Sequence, residues 1–218
     1  MGPFSGWPPD ALAFLRELEA NNDRDWFKAN RARYDELLIA PAKALGEDLG
    51  DIGEPHYFRP FNDVRFHARP PIKEQVGVAI GHAGAGGWYV ELSLDGLLVA
   101  GGLYAPARDQ VARLRAAIED GPKAGALTRA LGAAEEEGLA LNEPDLAHGP
   151  QGVPRDHPRI DLLRRRRMIV ARLHPLEPWL HTPMAGARIR AGLEAAGPLV
   201  RWLEAHVGPS RLPSFGAR

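Results

Sequence analysis

Two apolar runs meet at Asp95-Gly96, W-Y-V-E-L-S-L before it and L-L-V-A-G-G-L-Y after it. An Asp-Gly pair between such runs specifies a tight hairpin, because the turn needs positive φ and glycine has no Cβ to clash there. A third run, G-V-A-I-G-H-A from Gly77, precedes them across Gly84-Ala85-Gly86-Gly87. Residues 76 to 104 are therefore predicted to form an antiparallel meander, with Val90, Leu92 and Val99 packed on helices. The glycine-rich loop carries no G-K-[ST] and leads into a strand, so it reads as a hairpin connection and not as a phosphate-binding loop.

Helical patterns flank this span. Pro8, Pro9 and Asp10 suit a helix start, and Leu12, Leu15 and Leu18 form a stripe. Asn21-Asn22-Asp23 interrupts, with Asp23 the expected N-cap of a second helix carrying Trp26 or Phe27, Asn30, Tyr34 and Leu37 or Leu38. Pro41 is expected to open a third helix that Gly50 ends. Beyond the sheet, Arg108 to Glu119 and Pro122 to Leu131 read as helices, and residues 137–152 as an irregular internal linker. Asp156-His157-Pro158 is expected to open a helix running through Arg172. Thr182 to His206 would form the last helix, broken or kinked at Gly197-Pro198. With no repeat and no second core, the expectation is one α+β domain over residues 1–218, an antiparallel meander covered by N- and C-terminal helices.

Composition narrows the function classes. The 218 residues are 44% apolar and 25% charged with a net charge of −1, so no whole-molecule field favours nucleic acid or an anionic membrane. The chain has no cysteine, which removes disulfides, thiolate catalysis and Cys-ligated zinc. No apolar run approaches membrane-spanning length and M-G-P-F-S-G-W is not a signal peptide, so the expected location is the cytoplasm.

The candidate site lies in F58-R-P-F-N-D-V-R-F66. Read as an extended segment, it puts Phe58, Val64 and Phe66 on one face and Arg59, Asp63, Arg65 and His67 on the other. In W-Y-V-E-L-S-L the same alternation sets Trp88, Val90 and Leu92 against Tyr89, Glu91 and Ser93. Two segments thus supply one polar sheet face, with Phe61 and Tyr89 among its charges. Three readings stay open: a small anionic-ligand or substrate site, a structural salt-bridge network, and a plainly hydrated face. In the first, Arg59 and Arg65 receive the anion, Asp63 orients them or acts as a base, and Tyr89 and Glu91 border the site.

The chain resembles the family catalogued as domain of unknown function 2461. The resemblance rests on F-L-x-E-L-x-x-N-N-x-R-x-W-F (14–27), R-x-x-x-D-x-R-F (59–66), W-Y-V-x-L-S-x-D-G (88–96), G-G-L-Y (101–104) and D-H-P-x-x-D-L-L (156–163). It implies no activity. The family pattern reads R-D-x-R-F, then an acidic or amide residue, a lysine and P-Y-K. Asp63, Arg65, Phe66 and Lys73 match it, which adds Lys73 to the candidate ligand-binding set. Asn62 stands where arginine is expected, Ile72 where tyrosine is, and H-A-R-P-P-I-K lacks the acidic residue and lysine that follow Phe66 in the pattern, so chemistry resting on those groups would be lost here.

Rival chemistries have weaker support. Asp63 with Glu91 suggests a metal-dependent phosphodiesterase or nuclease, but Ser93 occupies the position where that arrangement needs a lysine. His157 and Asp161 share helical spacing as metal ligands, yet D-H-P reads as helix capping; no metal and no cofactor are expected. Arg164 to Arg167 point in four directions on a helix, which disfavours a nucleic-acid stripe and favours one arginine turned inward to an ion pair. Asn21 to Phe27 reads first as a helix stop and restart, with Trp26 and Arg24 as the border of a pocket over the sheet in the alternative reading.

Overall fold

A computed structural model of the chain describes residues 2–63, 69–81 and 84–212. The Asp95-Gly96 turn joins β3 (Gly87–Ser93) to β4 (Leu97–Leu103), and Ser93 N–H donates to the Gly96 carbonyl across it at 3.0 Å. Gly96 has φ +146°, and a Cβ there would collide with the carbonyl oxygen of His174. With β1 (Pro55–Tyr57), β2 (Gln75–Ile80), β5 (Ala140–Leu141) and β6 (Met168–His174), these strands make a six-stranded antiparallel sheet of order β1-β2-β3-β4-β6-β5. The class is α+β, and β2 to β4 are the meander that the turn signals predict over 76 to 104, with β1 added beside β2. Val90, Leu92 and Val99 are buried.

The chain divides into two compact units. One comprises the described residues of Met1–Ile80, Tyr89–Val99 and Leu173–Ala191. Its first helix, α1 (Asp10–Ala20), buries Ala11, Leu12, Phe14, Leu15 and Leu18. Asp23 then caps α2 (Arg24–Ala29), accepting from the amides of Asp25 at 2.9 Å and Trp26 at 2.8 Å. The chain continues through α3 (Arg31–Tyr34) and a π turn (Asp35–Ile39) into α4 (Ala40–Asp48). Pro41 therefore sits in the first turn of α4, where its missing N–H is harmless, and does not mark a break before it.

The strand expected over 58–67 is not formed in its described part. β1 ends at Tyr57, and Phe58 to Asp63 make only an isolated bridge, Phe61 opposite Ile72. The reason is proline: Pro60, Pro70 and Pro71 have no N–H, so a ladder closes only around that bridge. There Asn62 N–H donates to Pro71 at 2.9 Å and Lys73 N–H to Pro60 at 2.7 Å. Val64, Arg65, Phe66 and His67 lie outside the described residues.

The other unit comprises the described residues of Gly81–Trp88, Ala100–Arg172 and Gly192–Arg218. Helices α5 (Arg108–Glu119) and α6 (Gly121–Glu136) contribute Leu114, Ile118 and Leu127 to its core, joined by Leu163, Met168, Val170 and Leu203. Residues 137–152, expected as a linker, include β5, with Ala140 opposite Ala171 and Leu141 opposite Val170. The helix expected through Arg172 is instead one turn, α7 (Ile160–Leu163), followed by β6. M-I-V-A-R-L-H reads in either period, and tertiary pairing decides it: Asn142 Oδ1 accepts from Ile169 N–H at 2.8 Å. The last helix, α8 (Met184–His206), runs unbroken through Pro198. Among the described residues no helix is long and apolar enough to cross a membrane.

Candidate functional site

On β3, Tyr89 and Glu91 alternate with buried Val90 and Leu92, as the period-two pattern predicts. The Tyr89 hydroxyl donates to Glu91 Oε2 at 2.6 Å, and Gln75 Nε2 on β2 donates to the same oxygen. Gly77 creates the space for this arrangement, because a Cβ at that position would overlap the Tyr89 hydroxyl. Phe58 stands edge-on to Tyr89, with ring centroids 6.0 Å apart, and to His56 at 5.1 Å.

Above Phe58 lies Lys73, its ammonium 5.4 Å from the ring centroid. Partial burial pulls the Lys73 pKa down, and neighbouring Arg59 pushes it further; Glu91 offsets part of this. Neither Arg59 nor Lys73 makes an ion pair among the described residues. The structure thus brings Arg59, Lys73, Tyr89 and Glu91 together. Asp63 is exposed at the end of the same arm, and Arg65 lies outside the described residues.

The arm itself is held by a residue that sequence reading treated only as a helix stop. Asn22 Oδ1 accepts from Ile72 N–H at 3.0 Å and Asn22 Nδ2 donates to Ile72 C=O at 3.0 Å and to Glu74 Oε1 at 2.6 Å. The amide thereby imitates a neighbouring strand. Asn62, where the family pattern has arginine, donates Nδ2 to Pro70 C=O at 2.9 Å, and Ile72, in the tyrosine position, is 0% exposed. Both departures are used to fix the arm.

Fixed in this way, Phe61 stands edge-on to Phe27 at 5.8 Å and closes one side of a cleft of about 500 Å³. Arg24, Phe27, Lys28, Arg31 and Phe61 line it. Arg24 was expected beside a pocket; Trp26 instead packs towards Phe14, ring centroids 5.6 Å apart. Arg31 lies over the rings of Phe27 and Tyr34 at 5.7 and 5.5 Å and pairs with Asp35 at 2.9 Å. Burial raises the Tyr34 hydroxyl pKa to about 12, only partly countered by Arg31.

The remaining candidates resolve into structural contacts. Asp156 does not cap α7, whose N-cap position is Arg159 with no side-chain cap. His157 takes that local role: Nδ1 accepts from Arg159 N–H at 3.1 Å and Nε2 lies 3.3 Å from Glu119. Asp161 faces Arg164 at 3.3 Å. Among the described residues no three His, Asp or Glu side chains gather as a metal site. In the arginine run, Arg164 Nε donates to Leu146 C=O and Arg165 Nε to Asn142 C=O, while Arg167 pairs with Asp145 at 2.6 Å. More than one arginine is therefore turned to the protein, on a loop and not on a helix.

A family model described as "Conserved hypothetical protein (DUF2461)" matches residues 10–202. No curated protein and no solved structure matches the chain.

Proposed function

Since the chain belongs to the conserved hypothetical family DUF2461 across residues 10–202 and inherits no activity from it, we propose from the site alone that it binds a small anionic ligand on the polar sheet face. The observation that carries this reading is the placement of Arg59 beside Lys73 with no ion-pair partner among the described residues. Two adjacent cations, one partly buried, raise the energy of the empty site, and a bound phosphate or carboxylate lowers it. Tyr89 and Phe58 form the floor of that site, and Glu91, already satisfied by Gln75 and Tyr89, supports Tyr89. Asp63 joins the proposal through its place on the same arm, and Arg65 through its place two residues later in the sequence. The reading is one of binding and includes no reaction.

The Gln75–Glu91–Tyr89 contacts favour a second reading, in which the polar face only fixes the fold. Thermal melts of Arg59→Gln and Lys73→Gln separate the two. A ligand site predicts that either change leaves the unliganded protein as stable or more stable, because a repulsion is relieved. It also predicts that phosphate or a small carboxylate raises the wild-type melting temperature by about 3 °C or more near saturation, and that either change removes the rise. Loss of stability in both variants, with no anion effect on wild type, would establish the structural reading instead.

A further inference from the structure

The cleft on α2 is a second basic surface, built from different residues. Arg24, Phe27 and Lys28 fall at i, i+3 and i+4 on α2 and Arg31 opens α3, and together they line the cleft with three cations around a phenyl ring. Arg31 is tied to Asp35, but Arg24 and Lys28 make no ion pair among the described residues. Nearby Arg33 shows the contrast: Glu17 takes both of its terminal nitrogens, at 2.7 and 3.0 Å. Phe61 also lines the cleft, 42% exposed although it sits on an arm secured by the Ile72 bridge and the Asn22 amide. An exposed phenyl on a tethered arm beside cations is a stacking surface for a planar ring.

We propose that this cleft binds a mononucleotide-sized aromatic phosphate, its ring system against Phe61 and its phosphate on Arg24 and Lys28. The juxtaposition of an aromatic platform with cations within one cleft selects ligands that carry both groups, and about 500 Å³ suits a single small molecule. A nucleic-acid polymer is disfavoured because the chain as a whole has a net charge of −1. The site goes beyond the Arg59–Lys73 proposal and shares none of its cations.

Adenosine monophosphate, adenosine and inorganic phosphate, titrated separately by calorimetry into the full chain carrying Lys73→Gln, which disables the other anion surface, form the test. Adenosine monophosphate is expected to saturate at one per chain, with each fragment bound at least about tenfold more weakly. Phe61→Ala and Lys28→Gln should each weaken the nucleotide about fivefold or more. Lys28 is exposed, so its variant tests the cleft even where Phe61→Ala fails to fold. The proposal is overturned by no nucleotide binding up to about 1 mM, or by phosphate alone binding Lys73→Gln as tightly as the nucleotide does. Tighter binding of a short single-stranded oligonucleotide than of the mononucleotide also overturns it, in favour of a nucleic-acid surface.

Discussion

Asn22 grips the backbone of Ile72 from both sides, accepting from its N–H and donating to its C=O at 3.0 Å each, across fifty residues of sequence. Ile72 is wholly buried, so neither backbone group has water as an alternative. Asn22→Ala should therefore cost about 2–4 kcal/mol in urea denaturation. Asn22→Asp keeps the acceptor but sets a carboxylate against Ile72 C=O and the Glu74 carboxylate, and at neutral pH should be at least as destabilising as Asn22→Ala. Equal stability of all three proteins would show that the arm is held elsewhere.

Gly77 and Tyr89 make a second pair with a measurable coupling. A methyl at residue 77 meets the Tyr89 hydroxyl, which can leave only by giving up Glu91. Gly77→Ala is expected to destabilise the protein by about 1–2 kcal/mol in the wild-type background. In a Tyr89→Ala background the same change should be neutral or stabilising, since alanine is better than glycine inside a strand. A double-mutant cycle with no coupling would contradict the geometry.

The parts of the fold written in local patterns were legible in the sequence. The 76–104 meander follows from alternation and the Asp-Gly turn, and the Asp23 cap from a side chain and the two amides just beyond it. Tyr89 and Glu91 were assigned to the polar face for the same reason. What failed depends on partners distant in sequence. Residues 58–63 alternate like a strand, but three prolines deny them a ladder. Met168–His174 follows four arginines and extends a helical pattern, yet its amides are claimed by the segment around β5. The Asn22 clamp and the arrival of Phe61 over Phe27 leave no local trace.

Asp109 ties down the chain after α8. Its carboxylate accepts from Arg211 N–H at 2.7 Å, Ser210 Oγ at 2.9 Å and Arg113 Nη1 at 2.9 Å, and Arg113 also donates to Pro209 C=O at 2.7 Å. The Arg211 amide first, then Arg113 and Ser210, hold this carboxyl well below the usual carboxylate range. A depressed folded-state pKa contributes stability that is complete above the ordinary value near about 4 and is lost as pH falls through the folded one. The segment at 207–212 should therefore stay protected from protease at neutral pH and loosen only in strong acid. Asp109→Asn should expose it already at pH near about 7. Identical cleavage of wild type and variant at neutral pH would contradict the tie.

The arginine run offers the sharpest contrast between a charge and its partner. Asp145 Oδ2 accepts from the amides of Arg166 at 2.7 Å and Arg167 at 2.9 Å, while Oδ1 accepts from Arg167 Nε at 2.6 Å. The carboxylate is mostly covered, its side chain 14% exposed, whereas that of Arg167 is 45% exposed. Removing the arginine side chain should thus cost only about 0.5–1 kcal/mol, as for other half-exposed ion pairs. Removing the carboxylate strips two backbone amides of their acceptor where the chain turns from α7 into β6, and Asp145→Ala should cost about 2–4 kcal/mol. The double variant should be no less stable than Asp145→Ala by more than about 0.5 kcal/mol, since the pair is already broken. An Arg167→Ala loss equal to that of Asp145→Ala would mean that the ion pair, and not the backbone turn, is what this aspartate serves.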